Sequence, residues 1–247
     1  MQKPSRRLSL ASLLLGFVLI TLVWTDVLPG GWTLRSWLTP PTQMKALVVA
    51  RHRKERLALF QGEPTPAPGA IVFLGSSTIE RFPLARSFPG RPCLDRGIGS
   101  EDLNGLSQRL EASLPPEPAG IVLYAASIDF RRGAPRPGDL VARIEELLDR
   151  LQDLAPDVPV ALIGILPERD MMPALGRRLA ITNNLLEKVC LPRGVAFVSI
   201  DRAPLITEAG DLTYSHSADR LHLNELGYRQ LATWILEDGG ALAALLK

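Results

Sequence analysis

The sequence predicts an α/β protein in which helices cover both faces of a parallel sheet, a three-layer α/β/α sandwich. After residue 70, short apolar runs bounded by glycine or proline alternate with longer segments of helical periodicity. Strands that alternate with helices pair in parallel, because each crossover helix returns the chain to the starting end of the sheet. Hydrophobic residues make up 46% and charged residues 22% of the 247 residues, which is an ordinary globular composition.

The predicted strands are short apolar runs at 70–75, 92–95, 120–126, 158–166 and 194–200. The predicted helices lie between and after them, at 101–114, 138–154, 173–189 and 224–237. In such a sheet the reactive groups collect beyond the carboxyl ends of the strands. We therefore expect the functional residues in the loops that follow these runs.

Charge and cysteine content argue against several classes of function. The chain has 28 Lys plus Arg against 26 Asp plus Glu, and a net charge of +2 is too small to indicate a nucleic-acid partner. Two cysteines, Cys93 and Cys190, do not make a disulfide framework, and three histidines offer no Cys/His spacing typical of structural zinc. We start from the expectation of a domain without a metal or cofactor.

The N-terminal segment has the pattern of a membrane anchor. Residues 8–28 are uncharged until Asp26, and as a helix they would span roughly 30 Å, one hydrocarbon core. Because Lys3, Arg6 and Arg7 precede the run, we expect a cytoplasmic N-terminus and a single-pass protein whose remaining chain is extracytoplasmic. A cleavable signal peptide is the alternative. We favour an uncleaved anchor, since the run is long for a signal peptide and no A-x-A-like site follows.

A basic helix and a proline-rich linker are predicted after the anchor. The pattern over 44–62 indicates a helix, and its basic stretch at 51–56 is either a solvated face or a contact with anionic lipid headgroups. We expect His52 to be exposed. The following EPTPAPG segment is a linker or a stiff loop. The predicted organisation is a cytoplasmic tip and transmembrane anchor at 1–28, a linker with a helix at 29–69 and an α/β domain at 70–247.

The loops after the first two strands are rich in small residues. The first reads Gly-Ser-Ser-Thr at 75–78, where a serine either presents its hydroxyl or caps the next helix. It is not a G-x-S-x-G elbow, since Ile79 occupies the last position. The second loop, at 95–100, starts like a dinucleotide fingerprint, but Asp102 replaces the third glycine. Its glycines would suit either an anion or a tight turn.

The last loop carries an Asp-x-x-His pair, Asp219 and His222, directly before a helix that Asn224 would cap. This spacing lets the carboxylate hold the imidazole while the other ring nitrogen faces a substrate. His216 could join the pair as a metal ligand, but no thiolate, further histidine or H-E-x-x-H helix supports such a site. We therefore expect no metal.

Taken together, these blocks resemble the SGNH/GDSL hydrolase superfamily. The resemblance covers about residues 45–240 and rests on IVFLGSSTIERF, FPGRPCLDRGIGS, VLYAASIDF and the DRLHLN block that contains Asp219 and His222. It is similar to the subgroup with G-S-S, N-R-G-x-G-G and L-Y-A-G-x-N-D motifs. The resemblance implies a five-stranded parallel sheet in the order 2-1-3-4-5 and ester hydrolysis without a cofactor.

The resemblance also implies roles for individual residues. Ser77 would be the nucleophile, His222 its base and Asp219 the group that orients the base. The oxyanion donors would come from Ser77, Ser100 and position 128. Ser100 replaces the family's glycine and keeps a backbone N–H, whereas Ile128 replaces the family's asparagine and has no side-chain donor. Loss of one oxyanion donor costs on the order of 10² to 10³ in turnover.

Two functions from different classes follow. The first is a membrane-anchored serine esterase acting on a small-molecule, lipid or glycan ester. The joint presence of Ser77, Asp219 and His222 favours it. The second is a non-catalytic relative that binds a glycan, an acyl group or a protein, and the loss of the side-chain donor at Ile128 favours it. The loop arginines, namely Arg131, Arg132 and Arg136, either contact an anionic substrate or are solvated. The family's strand order places Cys93 and Cys190 far apart, so no disulfide is expected.

Overall fold

The computed structural model describes residues 10–25, 27–63, 68–132 and 136–247. The chain divides into two units, Met1–Arg51 and His52–Lys247. Helix α3 contributes its first half to one unit and the remainder, from His52 onward, to the other.

The first unit contains helix α1, Leu10–Trp24, and helix α2, Gly31–Leu38, followed by the start of α3, Pro41–Gly62. The expected transmembrane helix over 8–28 is not found. In the described part of the chain, no helix combines the length and the apolar character that crossing a membrane requires. Helix α1 ends at Trp24, and Gly30 has a φ of 103°, which an α-helix does not accommodate. Residues 8, 9 and 26 of the expected span lie outside the described residues.

The second unit is a three-layer α/β sandwich around a five-stranded parallel sheet in the order β2-β1-β3-β4-β5, as expected. The strands are β1 Ile71–Gly75, β2 Cys93–Gly97, β3 Gly120–Tyr124, β4 Val160–Ile163 and β5 Ala196–Val198. The helices are α4 Ser77–Glu80, α5 Leu84–Ser87, α6 Leu103–Ser113, α7 Ser127–Arg132, α8 Pro137–Leu154, α9 Pro173–Cys190, α10 Glu225–Asp238 and α11 Ala241–Leu246.

Alternation along the strands fills two separate cores. In β1, Val72 and Leu74 face the core formed with α6, α8 and α9, whereas Ile71 and Phe73 face the core formed with α5, α10 and α11. Side chains of consecutive strand residues point to opposite faces, so a strand in the middle of the sheet must be apolar at every position. This is why the predicted strands read as continuous apolar runs rather than as alternating ones.

The element bounds differ from the expected ones mainly at loop ends. Strand β2 extends through Gly97, into a segment read from the sequence as a loop, and β4 is shorter than the run at 158–166. Asp102, which breaks the dinucleotide fingerprint, is the N-cap of α6, and its carboxylate accepts the Gly105 N–H at 2.9 Å. The short helices α5, α7 and α11 were not expected, because four to six residues carry too little periodicity to be recognised.

From His52 onward, α3 packs against the sandwich. Arg53 Nε donates to Glu101 Oε1 at 3.1 Å, and Arg56 donates to Gly97 O at 3.0 Å and to Asp95 Oδ2 at 2.8 Å. The reading of 51–56 as a plain solvated face is therefore wrong for these arginines. Arginine side chains on the face of a helix that packs against its domain need polar partners there, and the sequence alone does not reveal which groups those are.

An aromatic ring on α3 anchors this packing. Phe60 lies under three guanidinium groups, with Arg56 at 4.9 Å, Arg96 at 4.8 Å and Arg109 at 5.9 Å from the ring centroid. Arg109 is itself buried and paired with Glu101 at 2.6 Å. Desolvated cations over an aromatic face are attracted by its quadrupole, so Phe60 links α3 to the edge of the sheet.

The two cysteines are both free. Cys93 lies in the edge strand β2 and packs against the core on one face of the sheet. Cys190 ends α9 and lies in the core on the opposite face. Burial raises the pKa of Cys93 to about 11 and that of Cys190 to about 12. Both therefore stay as thiols at neutral pH and are weak nucleophiles.

Candidate active site

Ser77 is placed at the carboxyl end of the sheet by a sharp turn after β1. Gly75 has a φ of 157°, and a Cβ at that position would lie 2.3 Å from Tyr124 O, so only glycine fits there. Ser76 follows in an extended conformation, and Ser77 is the first residue of α4. The Ser76 side chain makes no capping hydrogen bond. The Ser77 hydroxyl is likewise not a cap, since its Oγ lies 3.1 Å from His222 Nε2.

His222 reaches this position from a loop whose backbone is closed on itself. Ala218 N–H donates to His222 O at 2.8 Å, and Ser217 and Leu223 form an isolated antiparallel bridge. Helix α10 then begins after Asn224, whose side chain accepts the Gly227 N–H at 3.0 Å. The expected cap is thus present, and it directs the chain from His222 straight into the helix.

Helices α10 and α4 are joined below the site. Tyr228 donates its hydroxyl hydrogen to Thr78 O at 3.0 Å, and its ring packs 5.1 Å from Phe82 between centroids. Burial raises the pKa of Tyr228, so the hydroxyl keeps its hydrogen for this bond. The contact holds Ser77 and His222 in register although they are far apart in the sequence. Tyr228 was not recognised from the sequence beyond its place in the last block.

Asp219 completes the arrangement around the imidazole. Its Oδ2 lies 2.8 Å from His222 Nδ1, and its Oδ1 accepts the N–H groups of Leu221 at 2.7 Å and His222 at 2.9 Å. A carboxylate accepts only, so Nδ1 carries the hydrogen and Nε2 is left to accept from Ser77. The structure therefore brings together all three residues singled out in the sequence, in the order hydroxyl, imidazole, carboxylate.

The charge on Asp219 is stabilised by its hydrogen bonds. Burial raises the pKa of this carboxyl, but the N–H groups of Leu221 and His222 and the imidazole outweigh burial and lower the pKa to about 2. Asp219 is thus ionised throughout the neutral range. Because its side chain is 54% exposed, solvent screening limits what this shift contributes to stability.

Two backbone N–H groups near the Ser77 hydroxyl, those of Ser77 and Ser100, have no acceptor among the described residues. Ser77 stands at the start of α4, where helical N–H groups have no intrahelical acceptor. Ser100 has a φ of 63°, and no described residue accepts its N–H. Its neighbour Gly99 lies beside Ser77, since a Cβ on Gly99 would be 3.7 Å from Ser77 Cβ. The turn keeps the left-handed shape that a glycine at position 100 would adopt without strain.

The third block leads into α7. Ile128 lies in the first turn of this helix, is half-buried and has no side-chain donor. Both carboxylate oxygens of the next residue, Asp129, are engaged away from Ser77: Oδ2 accepts the Leu103 N–H at 2.9 Å, and Oδ1 accepts from Arg143 at 2.9 Å. Ala126, which stands at a glycine of the family motif, has a φ of 67° and was overlooked in the sequence.

The arginines near the third block are largely neutralised. Arg131 Nε donates to Glu168 Oε1 at 2.9 Å, and Arg220 contacts the other oxygen of Glu168 at 3.2 Å. Arg136 binds Asp139 at 3.0 Å, whereas Arg132 is exposed. A carboxylate placed between two guanidinium groups lowers their attraction for an anionic substrate. Among the described residues, no group of three His, Cys, Asp or Glu side chains could hold a metal ion.

Glu80 is a further residue near the site that sequence reasoning missed. It ends α4, three residues after Ser77, and its Oε2 accepts the Gly99 N–H at 2.5 Å. The same carboxylate lies 2.9 Å from His52 Nε2, so His52, whose side chain is 38% exposed, has a polar contact that its expected exposure did not suggest. The signal that could have found it is its position in IVFLGSSTIERF. An acidic residue on the same helix as Ser77, one turn after it, can accept backbone N–H groups of a neighbouring loop.

Comparisons with solved structures agree with this architecture. A protein from Streptococcus pneumonia whose name refers to platelet activating factor superposes with a TM-score of 0.71 at 20% identity, covering 79% of this chain and 96% of that one. A GDSL-like lipase from Bacteroides thetaiotaomicron has a TM-score of 0.62 at 18% identity, covering 75% and 95%. An acetylxylan esterase from Geobacillus stearothermophilus, solved as a catalytic mutant, has a TM-score of 0.54 at 13% identity, covering 71% and 96%. At these identities the likeness concerns the fold alone.

The family comparison is more specific. No curated protein matches the chain at a significant level. The profile of the GDSL-like lipase/acylhydrolase family matches residues 78–230, which is more than half of the chain and includes Asp219 and His222. The sheet order, the loops at its carboxyl end and this match agree with one another, and the chain therefore belongs to the GDSL-like lipase/acylhydrolase family, within the SGNH/GDSL hydrolases.

Proposed function

We propose that this chain is a serine esterase that hydrolyses a carboxylic ester through an acyl-serine intermediate. The observation that carries the proposal is the continuous contact from Ser77 Oγ to His222 Nε2 at 3.1 Å and from His222 Nδ1 to Asp219 Oδ2 at 2.8 Å. A serine hydroxyl is a weak nucleophile until an adjacent base takes its proton, and this geometry provides such a base.

The first half of the reaction forms the acyl-enzyme. Ser77 Oγ bonds to the ester carbonyl carbon while its proton moves to His222 Nε2, and the carbonyl electron pair moves onto oxygen. Asp219 stabilises the resulting imidazolium without taking the proton. The N–H groups of Ser77 and Ser100 stabilise the oxyanion. When the carbonyl re-forms, the carbon–oxygen bond to the alcohol breaks, and the departing oxygen takes the proton from His222.

Water completes the cycle. It gives a proton to His222 Nε2 and bonds to the acyl carbon, and the proton then returns to Ser77 Oγ as the carboxylic acid leaves. No cofactor enters these steps, and the substrate class is a small-molecule, lipid or glycan ester. Because Ile128 supplies no side-chain donor, turnover should be lower by on the order of 10² to 10³ than with a third donor in place.

A fluorophosphonate probe tests the nucleophile directly. The full chain should become labelled at Ser77, and Ser77→Ala should abolish the labelling. Ser215→Ala is the matched control, since Ser215 is an exposed serine of the last loop whose hydroxyl contacts His216 rather than His222. Labelling that persists in Ser77→Ala, or is absent from the folded wild-type chain, would contradict the proposal.

The alternative function is a non-catalytic relative that binds a glycan, an acyl group or a protein in the same place. The observation that favours it is the apolar side chain of Ile128 at the position of a family donor. A folded chain that does not react with the probe but binds an acyl or glycan ligand, with Ser77→Ala binding equally well, would establish this alternative.

We further propose that the N-terminal segment anchors the chain to a membrane and that the α/β unit is extracytoplasmic. Support comes from the run of apolar residues behind Lys3, Arg6 and Arg7, and from α1, in which none of the residues is buried. The full chain should remain with membranes after carbonate extraction, and a C-terminal tag should be protease-accessible from the extracytoplasmic side. A chain released by carbonate, or a tag cut only from the cytoplasmic side, would refute the proposal.

A further inference from the structure

We propose that His52 is a positioning residue of the esterase site, which acts through Glu80 on the turn that carries the Ser100 N–H. The proposal rests on the proposed ester hydrolysis and adds to it a part of the chain upstream of the sandwich. His52 lies on α3 and Glu80 on α4, and the turn that carries Ser100 follows β2.

The first link is the contact between His52 and Glu80. His52 Nε2 lies 2.9 Å from Oε1 and 3.1 Å from Oε2 of Glu80. The carboxylate has no hydrogen to give, so Nε2 is the donor. The Glu80 side chain is 20% exposed, and at partly buried sites such a charge-assisted bond is stronger than a bond between neutral groups.

The second link joins Glu80 to the turn. Glu80 Oε2 accepts the Gly99 N–H at 2.5 Å, and Gly99 directly precedes Ser100. A Cβ on Gly99 would lie 2.9 Å from Glu80 Oε2, 3.6 Å from His52 Nε2 and 3.7 Å from Ser77 Cβ. Ser77 and the two linked side chains therefore all lie close to Gly99, so a change in the contact between His52 and Glu80 acts next to Ser77.

The turn needs an external hold for two reasons. Ser100 occupies the left-handed region with a φ of 63°, in which a non-glycine side chain is strained. Oxyanion donors lower the barrier only if they already point at the developing charge, and Ile128 leaves the Ser77 and Ser100 N–H groups without a side-chain donor beside them. A shift of this turn would thus reduce the stabilisation of the transition state more than it reduces the binding of the substrate.

A second anchor limits the effect of losing His52. Arg56, one turn further along α3, donates to Gly97 O at 3.0 Å and lies 3.7 Å from Glu80 Oε1. Removal of the imidazole should therefore loosen the turn without unfolding it. Asp95, which Arg56 also contacts, accepts the Gly97 N–H at 2.7 Å and so holds the start of the loop as well.

Three variants of the full chain test the proposal. His52→Ala removes the donor, His52→Gln keeps a neutral N–H donor, and Lys54→Ala changes an exposed residue of the same helix as the control. With a short-chain aryl ester, we expect His52→Ala to lower kcat by about 3- to 30-fold with KM within twofold, less than the 10² to 10³ for outright loss of a donor. His52→Gln should recover most of kcat, and Lys54→Ala should match the wild type.

Hydrogen exchange separates this proposal from the proposed function. In His52→Ala, and not in Lys54→Ala, the peptide covering residues 97–101 should exchange faster, whether or not the chain hydrolyses esters. Unchanged exchange in that peptide would overturn the positioning role. So would wild-type kcat in His52→Ala, or equal losses in His52→Ala and His52→Gln. A wild-type chain without esterase activity would refute the proposed function, while the exchange comparison would still decide whether His52 holds the turn.

Discussion

Restoring the missing oxyanion donor is the sharpest test of how the site works. In the variant Ile128→Asn, the amide would stand in the first turn of α7. The backbone there is held by its neighbour Asp129, whose two oxygens bind the Leu103 N–H and Arg143, each at 2.9 Å. Because this anchor is independent of residue 128, the new side chain should enter a backbone that is already in place.

The size of the effect follows from the number of oxyanion donors in the proposed mechanism. There the Ser77 and Ser100 N–H groups are two donors, and the amide of residue 128 would be the third. One donor is worth about 2.7–4 kcal/mol in the transition state, or 10² to 10³ in turnover, when it is fully aligned. Burying an isoleucine completely contributes about 1.5–3 kcal/mol, so removal of the half-buried Ile128 should cost roughly 1 kcal/mol of stability. We expect kcat to rise by at least about tenfold, equivalent to 1.4 kcal/mol.

Steady-state kinetics with a short-chain aryl ester measure this change. Ile128→Leu is the matched control, since it alters the shape of the side chain without adding a donor. In Ile128→Asn, kcat should increase with little change in KM, whereas Ile128→Leu should resemble the wild type. An unchanged or lower kcat in a folded Ile128→Asn variant, or an equal rise in Ile128→Leu, would refute the oxyanion reasoning.

Three further outcomes follow from the geometry. Asp219→Asn should lower kcat by about 10⁴, by analogy with loss of a triad carboxylate. Because the pKa of Asp219 is lowered to about 2 in the folded chain, its charge stabilises the fold at any pH above the pKa it has in the unfolded chain, and this stabilisation is lost as the pH falls towards about 2. An acid limb near pH 4 in the wild-type rate profile that Asp219→Asn removes would contradict the lowered pKa. Ser100→Gly should raise the free energy of unfolding by about 1 kcal/mol in urea titrations, because a φ of 63° strains a side chain; a loss of stability would contradict the strain. Phe60→Ala should lower it by about 1–3 kcal/mol, since the ring lies under three guanidinium groups, whereas the exposed Leu59→Ala should stay within about 0.5 kcal/mol; equal effects would show that the ring is not an anchor.

The sandwich was predictable because burial leaves a mark on local sequence. Each strand that is covered on both faces must be apolar at every position, and β1, β3 and β4 are buried throughout. The amphipathic helix α8 is similarly legible, because its buried leucines recur at helical spacing. The order of the strands came from a family resemblance, since parallel pairing joins segments that carry no local record of their neighbours.

The N-terminal segment shows where the local pattern was insufficient to set the length of a helix. The apolar run at 8–28 predicts one helix, but α1 ends at Trp24. Hydropathy records which residues avoid water, whereas the position of a helix end also depends on how its last backbone carbonyl groups find hydrogen-bond partners. The anchoring role thus stays a prediction that fractionation of the full chain must test.

Sequence alone determined the chemical types at the site: a hydroxyl after the first strand, an Asp-x-x-His pair before the last helix, and an apolar residue where a donor was expected. Only the tertiary structure decided their geometry, which places Ser77 Oγ 3.1 Å from His222 Nε2 and directs Asp129 toward α6 and Arg143. It also decided that Glu80 and His52 meet beside Gly99. Residue types and spacings are local properties of a chain, whereas hydrogen bonds between segments depend on how buried elements pack, and that packing is settled by the whole fold.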